Sequence, residues 1–248
     1  MKKIGLIGGM SWESTLVYYQ AINREIRERL GELHSANVLL DSCDFAEIVA
    51  LQRQGDWTTL AERLSQTAQG LERGGACCLA ICTNTMHKVA EEVQSAVNIP
   101  LIDIRDVTGS AAVQYGASRV GLLGTLYTME QEFFRSHLSG FWGVQSIIPE
   151  ARERQVIHSV IFDELCQGIV SPQSRKELIG IIQHLETRGA QAIVLGCTEL
   201  MLLLDQEQCS LAMFDTTVLH AKALADYALG DESGKRRPIQ AAPMPLVA

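Results

Sequence analysis

The chain has 248 residues, 47% of them hydrophobic and 20% charged, with a net charge of −8. This is ordinary globular composition, with enough length for one large core or two small ones. The acidic balance argues against a general nucleic-acid binder, which needs basic stripes to neutralise phosphates.

Met1-Lys2-Lys3 opens as an export signal does, but the apolar stretch Ile4 to Met10 is short, holds three glycines and is soon followed by Glu13. No signal peptide is expected from it. The longest later apolar run, Ala192 to Leu204, is broken by Thr198 and Glu199 and is too short and polar to span a membrane. A soluble, cytoplasmic protein with no membrane partner is expected. The seven cysteines are an odd number, which does not suggest a disulfide framework. There is no C-x-x-C pair with a second one downstream, so no structural zinc is expected.

In chain order, Lys3 to Gly9 reads as a buried parallel strand, an apolar run ending in glycines. A helical pattern follows from Tyr18 to Leu30, and Val38-Leu39-Leu40 reads as a second strand. Trp57 to Leu71 is helical and leads through a Gly-Ala turn to a strand at Leu79-Ala80-Ile81, ending in Cys82-Thr83. A helix over His87 to Val97 and a fourth strand at Pro100 to Asp103 complete a first half. The pattern then recurs. Arg119 to Thr125 matches the first strand, with Ile4 against Val120, 116 positions on. Met129 to Leu138 is helical, Ser146 to Ile148 is a strand, and Val156 to Cys166 and Ser174 to Glu186 are helical. Another Gly-Ala turn leads to Ile193 to Gly196 and Cys197-Thr198, with the cysteines 115 positions apart. Ala212 to Asp215 is the last strand, and a final helix runs over about 217–229. Strand, helix, strand, repeated, implies parallel sheets with helices on both faces.

The expected fold is α/β: two duplicated, pseudo-symmetric α/β/α domains of about four parallel strands each, with the active site in the interdomain cleft. The expected boundaries are 1–105 with 217–230 for the first domain, 106–216 for the second and 231–248 for a flexible C-terminal tail.

In open parallel sheets ligands bind beyond the carboxyl ends of the strands. Cys82 and Cys197 stand there, each before an expected helix whose N-terminus favours a thiolate. Two acid–base groups facing one carbon suit a racemisation, in which one removes the α-proton and the other supplies one to the opposite face. Hydroxyls and amides at Thr83, Asn84, Thr85 and Thr198 are placed to cap helices or to hold an ammonium and a carboxylate. Gly8 to Ser11 offers backbone N–H groups for a carboxylate, and Thr125 takes the matching place in the second half. Asp103 and Asp215 end matching strands, with a turn-capping role preferred. His87 is near enough to tune the site or to lie on a helix surface.

The segments Ile4 to Trp12, Cys82-Thr83-Asn84-Thr85-Met86-His87 and Gly196-Cys197-Thr198-Glu199 resemble the aspartate/glutamate racemase family, over about residues 3–229. Gly8 to Ser14 and Tyr127 to Gln131 look closest to the broad-specificity amino-acid racemases of enterobacteria. The resemblance implies an isomerase with no cofactor and no metal, a small amino-acid substrate, Cys82 and Cys197 as the two bases, and a homodimer. It also implies that the C-terminal helix returns to the first domain. It carries over Met10, Gln52, Thr83, Asn84, Thr85, Thr125 and Thr198 as substrate-binding positions. The chain departs from strict aspartate racemases, which are expected to hold the side-chain carboxylate with an arginine and a lysine. Here Ile48 and Gln52 stand in the first region, although Arg53 is adjacent, and no lysine follows Gly168 until Lys176. Glutamate or a broader range of amino acids therefore stays open, as do a related isomerase (maleate isomerase or hydantoin racemase) and a non-catalytic amino-acid sensor. A dinucleotide enzyme is disfavoured, because Gly5-x-x-Gly8-Gly9 lacks the G-x-G-x-x-G spacing.

Overall fold

A computed structural model describes residues 1–230; the expected tail at 231–248 lies outside the described residues. The first half holds a parallel sheet in the order β2 (Val38–Ser42), β1 (Ile4–Gly8), β3 (Cys78–Ile81). The expected fourth strand is reduced to one bridge, Leu79 to Leu101. Pro100 brings no N–H to a ladder, and Asp103 already accepts from the Arg105 N–H as N-cap of the next helix. The second half holds a four-stranded parallel sheet in the order β5 (Gln145–Ile147), β4 (Arg119–Gly124), β6 (Ala192–Gly196), β7 (Ala212–Asp215).

Helices cover both faces of each sheet. In the first half they are α1 (Trp12–Leu30), α2 (Phe45–Gln54), α3 (Trp57–Arg73) and the short α4 (Ala90–Ser95). Then come α5 (Ile104–Tyr115), α6 (Leu126–Glu130), α7 (Glu132–Trp142), α8 (Ala151–Ser159), α9 (Pro172–Thr187) and α10 (Thr216–Leu229). The sequence patterns find most of these. The exceptions are α2 and α5, and the helix expected over 129–138 is split where Gln131 is extended. The pattern over 156–166 becomes the end of α8, a π-helical turn at Val160–Glu164 and a 3-10 turn at Leu165–Gln167.

Alternation along each central strand sorts its side chains between two cores. In β3, Leu79 and Ile81 face α3 and α4, while Cys78 and Ala80 face α1 and α10. In β6, Ile193 and Leu195 face α8 and α9, while Ala192 and Val194 face α5 and α7. Helix α10 follows the second sheet but packs on α1 and α5. It buries Ala221, Leu224 and Ala228 with Ile4, Leu6 and Tyr18 of the first half. Asp215 caps it by accepting from the Thr217 and Val218 N–H groups. Among the described residues no helix is long and apolar enough to cross a membrane.

Candidate active site

The loops that leave the carboxyl ends of the strands converge on one cleft of about 580 Å³, counted out to its open mouth. The β1–α1 loop contributes Met10 and Ser11, and the first turn of α1 adds Ser14. Thr83, Asn84 and Thr85 follow β3, Thr125 follows β4, Gly196 ends β6, and Cys197 to Glu199 follow it. Gln52 and Phe45 of α2 close one side; Ile161, Phe162 and Cys166 close the other. Cys197 and all seven expected substrate-binding positions therefore line a single cleft.

Cys82 does not. Its side chain is 0% exposed and lies in the apolar core with Ile4, Leu6, Tyr18 and Ala221. Alternation explains this: Cys82 continues the Cys78–Ala80 face of β3, whereas Cys197 continues the Ile193–Leu195 face of β6. The sheet registers locate the true counterpart of Cys197. Ile81 pairs with Ile7 in the first sheet, and Leu195 pairs with Leu123 in the second. Ile7 and Leu123 are matched by the repeat of 116 positions, so Ile81 matches Leu195 and Thr83 matches Cys197. Aligning Cys-Thr with Cys-Thr slips the halves by one residue, which moves a side chain to the other face.

The expected lowering of the thiol pKa values is also corrected. The segments after the two strands are 3-10 helices, Thr85–Val89 and Thr198–Leu202, of five residues each, too short to supply the anticipated dipole. Burial raises the Cys82 thiol. Burial, and then the neighbouring Glu199 carboxylate, raise that of Cys197. Gly9 N–H does not wait for a carboxylate either, since it donates to Thr15 Oγ1 at 2.9 Å.

Glu199 is the charged residue of the lining. In the sequence its one signal is its place in the Gly-Cys-Thr-Glu run beside Thr198. It is 8% exposed. Its Oε1 accepts from Ser14 Oγ at 3.0 Å and Ser11 Oγ at 3.2 Å, and its Oε2 from Thr198 Oγ1 at 2.7 Å. The Cys197 thiol also donates to Oε2, at 3.0 Å. Ser14 and Thr198 touch through their hydroxyls, so this carboxylate ties the two halves together across the cleft.

Two other groups are positioned from both halves. The hydroxyls of Thr85 and Thr125 lie 3.3 Å apart, with that of Thr128 within 3.5 Å of both. Asn84 Nδ2 donates to Thr216 Oγ1 at 3.0 Å, and that hydroxyl donates to the Leu195 carbonyl at 2.9 Å. Because Thr216 has spent its proton, the amide orientation is fixed. Asn84 Oδ1 is then buried without a partner. A buried acceptor left unsatisfied costs about 1–3 kcal/mol, and a donor brought by a ligand would relieve it. Gln52 is held at the side by Nε2 donating to Met86 Sδ at 3.2 Å. Among the described residues no His/Cys/Asp/Glu group is arranged to hold a metal ion.

Comparison with known proteins identifies the family. The profile of the family Asp/Glu/Hydantoin racemase matches residues 7–224. A broad specificity amino-acid racemase, RacX of Bacillus subtilis (strain 168), is 23% identical over 93% of this chain and 100% of its own. The crystal structure of a candidate Asp/Glu racemase from Yersinia pestis is 48% identical, with a TM-score of 0.88 over 92% of this chain and 100% of that one. That of PH1733, an aspartate racemase homologue from Pyrococcus horikoshii OT3, is 33% identical, with a TM-score of 0.83 over the same shares. The chain belongs to the Asp/Glu/hydantoin racemase family of isomerases.

Proposed function

We propose that the protein racemises amino acids without an added cofactor, using Cys197 on one face of the α-carbon and Thr83 on the other. The observation that carries this reading is the register match of Thr83 to Cys197 at the rim of one cleft. Cys82 keeps its place in the core and takes no part.

The thiol of Cys197 passes its proton to Glu199 Oε2 along their hydrogen bond, which leaves the net charge of the cleft unchanged. The thiolate then removes the α-proton, and the C–H electron pair stays on the α-carbon. The Thr83 hydroxyl donates a proton to the opposite face. Water restores that hydroxyl, balanced by the proton Glu199 releases. Asn84 Oδ1 accepts from the substrate ammonium, and the cleft hydroxyls hold the carboxylate. No Lys or Arg lines the described cleft, so a side-chain carboxylate would be buried without a cation. Uncharged side chains are favoured over aspartate and glutamate, with Phe45, Ile161 and Phe162 as their wall.

An alcohol holds its proton far more tightly than a thiol, so reprotonation by Thr83 is the slow step. The enantiomer whose α-hydrogen faces Cys197 then exchanges with solvent faster than it inverts. Its mirror image exchanges only as it inverts. The test is to incubate single enantiomers of an amino-acid panel in D₂O under reducing conditions, following chirality and α-deuterium together. Cys197→Ser abolishes both signals. Thr83→Ala keeps exchange of one enantiomer and lowers inversion about a hundredfold or more. Cys82→Ala keeps both inversion and exchange, because its side chain lies in the core and does not line the cleft. Loss of inversion in Cys82→Ala with Thr83→Ala unaffected would restore the two-cysteine pair, and no exchange with any amino acid would end the racemase reading.

The same reading divides the chain into domains of 1–105 with 217–230 and of 106–216, the boundary falling in the first turn of α5. It places the protein in the cytoplasm, where its free thiols stay reduced. It also takes the protein as a homodimer, with Trp12, Leu16 and Tyr19 offering apolar surface on one side of α1.

A further inference from the structure

The Thr83 side and the Cys197 side of the cleft are supported by different chemistry. Behind Thr83 lies His87, 0% exposed. The Ile104 N–H donates to His87 Nε2 at 3.2 Å. That nitrogen is therefore the acceptor, and the ring proton sits on Nδ1, which donates to the Thr83 carbonyl at 2.8 Å. Burial holds the imidazole pKa down near 4, so the ring stays neutral and this assignment persists at working pH. The last ladder bond of the strand, Cys82 N–H to the Ile7 carbonyl, lies one residue before Thr83. Past that point the chain bends, and His87 pins the bend from behind. His87 is itself backed by His220 at a ring separation of 5.9 Å. Tyr18 donates to His220 Nδ1 at 2.9 Å, and His220 Nε2–H donates to the Ile102 carbonyl at 2.7 Å. In the second half the position matching His87 is the exposed Met201, and Cys197 is held instead by Glu199.

We infer that His87 is a positioning residue for the Thr83 half-reaction: its Nδ1–H bond to the Thr83 carbonyl fixes the hydroxyl at the face opposite Cys197. The inference rests on the proposed pairing of Thr83 with Cys197. It predicts a split that a structural role would not give. Removing the bond to Thr83 slows inversion and spares the α-proton exchange carried out by Cys197.

Two substitutions separate the two nitrogens of the ring. In His87→Asn the side-chain amide N–H stands where Nδ1–H stood and keeps the bond to Thr83. In His87→Gln the amide reaches the Nε2 position and keeps the bond from Ile104, losing the one to Thr83. Inversion and α-deuterium uptake are measured in D₂O from the enantiomer that exchanges in wild type, with Tm recorded for each variant. The expected result is that H87Q lowers the ratio of inversion to exchange about tenfold or more, since a misplaced reacting group is costly. H87N restores most of the ratio. Equal falls of inversion and exchange in H87Q, or an unchanged ratio, would overturn the inference. If H87Q does not fold, the ratio in H87N decides: preserved supports it, collapsed overturns it. Absence of exchange in wild type fails the racemase reading itself and is visible before any variant is made.

Discussion

Cys197 and Glu199 form a pair in which a single proton lies between sulfur and carboxylate, 3.0 Å apart. Burial raises the thiol first, and the adjacent negative charge raises it further. Taken alone, these effects make a poor base of Cys197. In the proposed mechanism the pair forms the thiolate without new net charge, the proton passing along the hydrogen bond to Oε2 rather than to solvent. Glu199→Gln separates the two effects. Removing the charge lets the Cys197 pKa fall toward the ordinary thiol value, while removing the proton acceptor slows the abstraction step. The expected outcome is faster alkylation of the Cys197 peptide at mildly alkaline pH, together with a fall of about tenfold or more in α-proton exchange. Slower alkylation in the variant would mean that the carboxylate does not oppose the thiolate. The same residue shows where sequence reading stops. Cys82 and Cys197 look alike as letters followed by threonine, and only the strand register reveals that one side chain points into the core and the other into the cleft.

At the scale of elements, the halves were legible because buried parallel strands are apolar on both faces and end in glycine. β1, β3, β4 and β6 lie where the sequence patterns put them. The long amphipathic α3 and α9 were equally legible, with buried Leu60, Leu64 and Leu71, and Leu178, Ile182 and Leu185, at helical spacing. Two kinds of feature were not. Helix α5 packs against both α7 and α10, and its buried face is made of Ile104, Arg105, Thr108, Gly109 and Ala112. Small and polar residues give no apolar stripe to read. His220 has no spacing that signals a role, yet it is buried, because Tyr18 and the Ile102 carbonyl meet it there. Gly109 explains the close approach: a Cβ there would stand 2.3 Å from Trp142 Cγ of α7. The indole cannot swing away freely, since its Nε1–H donates to Asp106 Oδ1 at 3.0 Å. Gly109→Ala is therefore expected to destabilise by about 1–3 kcal/mol, the usual cost of overpacking, despite the better helix propensity of alanine. Urea unfolding measures it, and a gain in stability would show that α5 and α7 can part without cost.

Across the whole molecule, the buried histidines sit where the parts join. His87 contacts Thr83 at the cleft and Ile104 at the start of α5; His220 carries α10 and contacts the segment before α5. Asp103 lies 4.0 Å from His87 Nε2, with Arg105 paired to it at 2.7 Å. Burial holds His87 near pKa 4 and His220 near 3, against about 6.5 for the free side chain. An unfolded chain thus binds these protons first. The stabilisation is fully present above about pH 6.5 and is lost as pH falls through the folded values. For His87 alone the loss approaches about 3 kcal/mol at pH 4, a large part of a typical net stability. Tm should therefore be level between about pH 6.5 and 8, below the free thiol value, and fall steadily between about pH 6.5 and 4. Asp103 titrates below that window, because burial tends to raise it but His87 and Arg105 hold it low, whereas burial raises Asp215 toward the window. His220→Gln keeps a hydrogen-bonding side chain at the seam without a group that can charge in this window. Its Tm is lower at pH 7.5 but falls less steeply between pH 6.5 and 4, so the two curves converge. Parallel curves would place the acid sensitivity elsewhere in the molecule and would separate the stability of the seam from the protonation of its histidines.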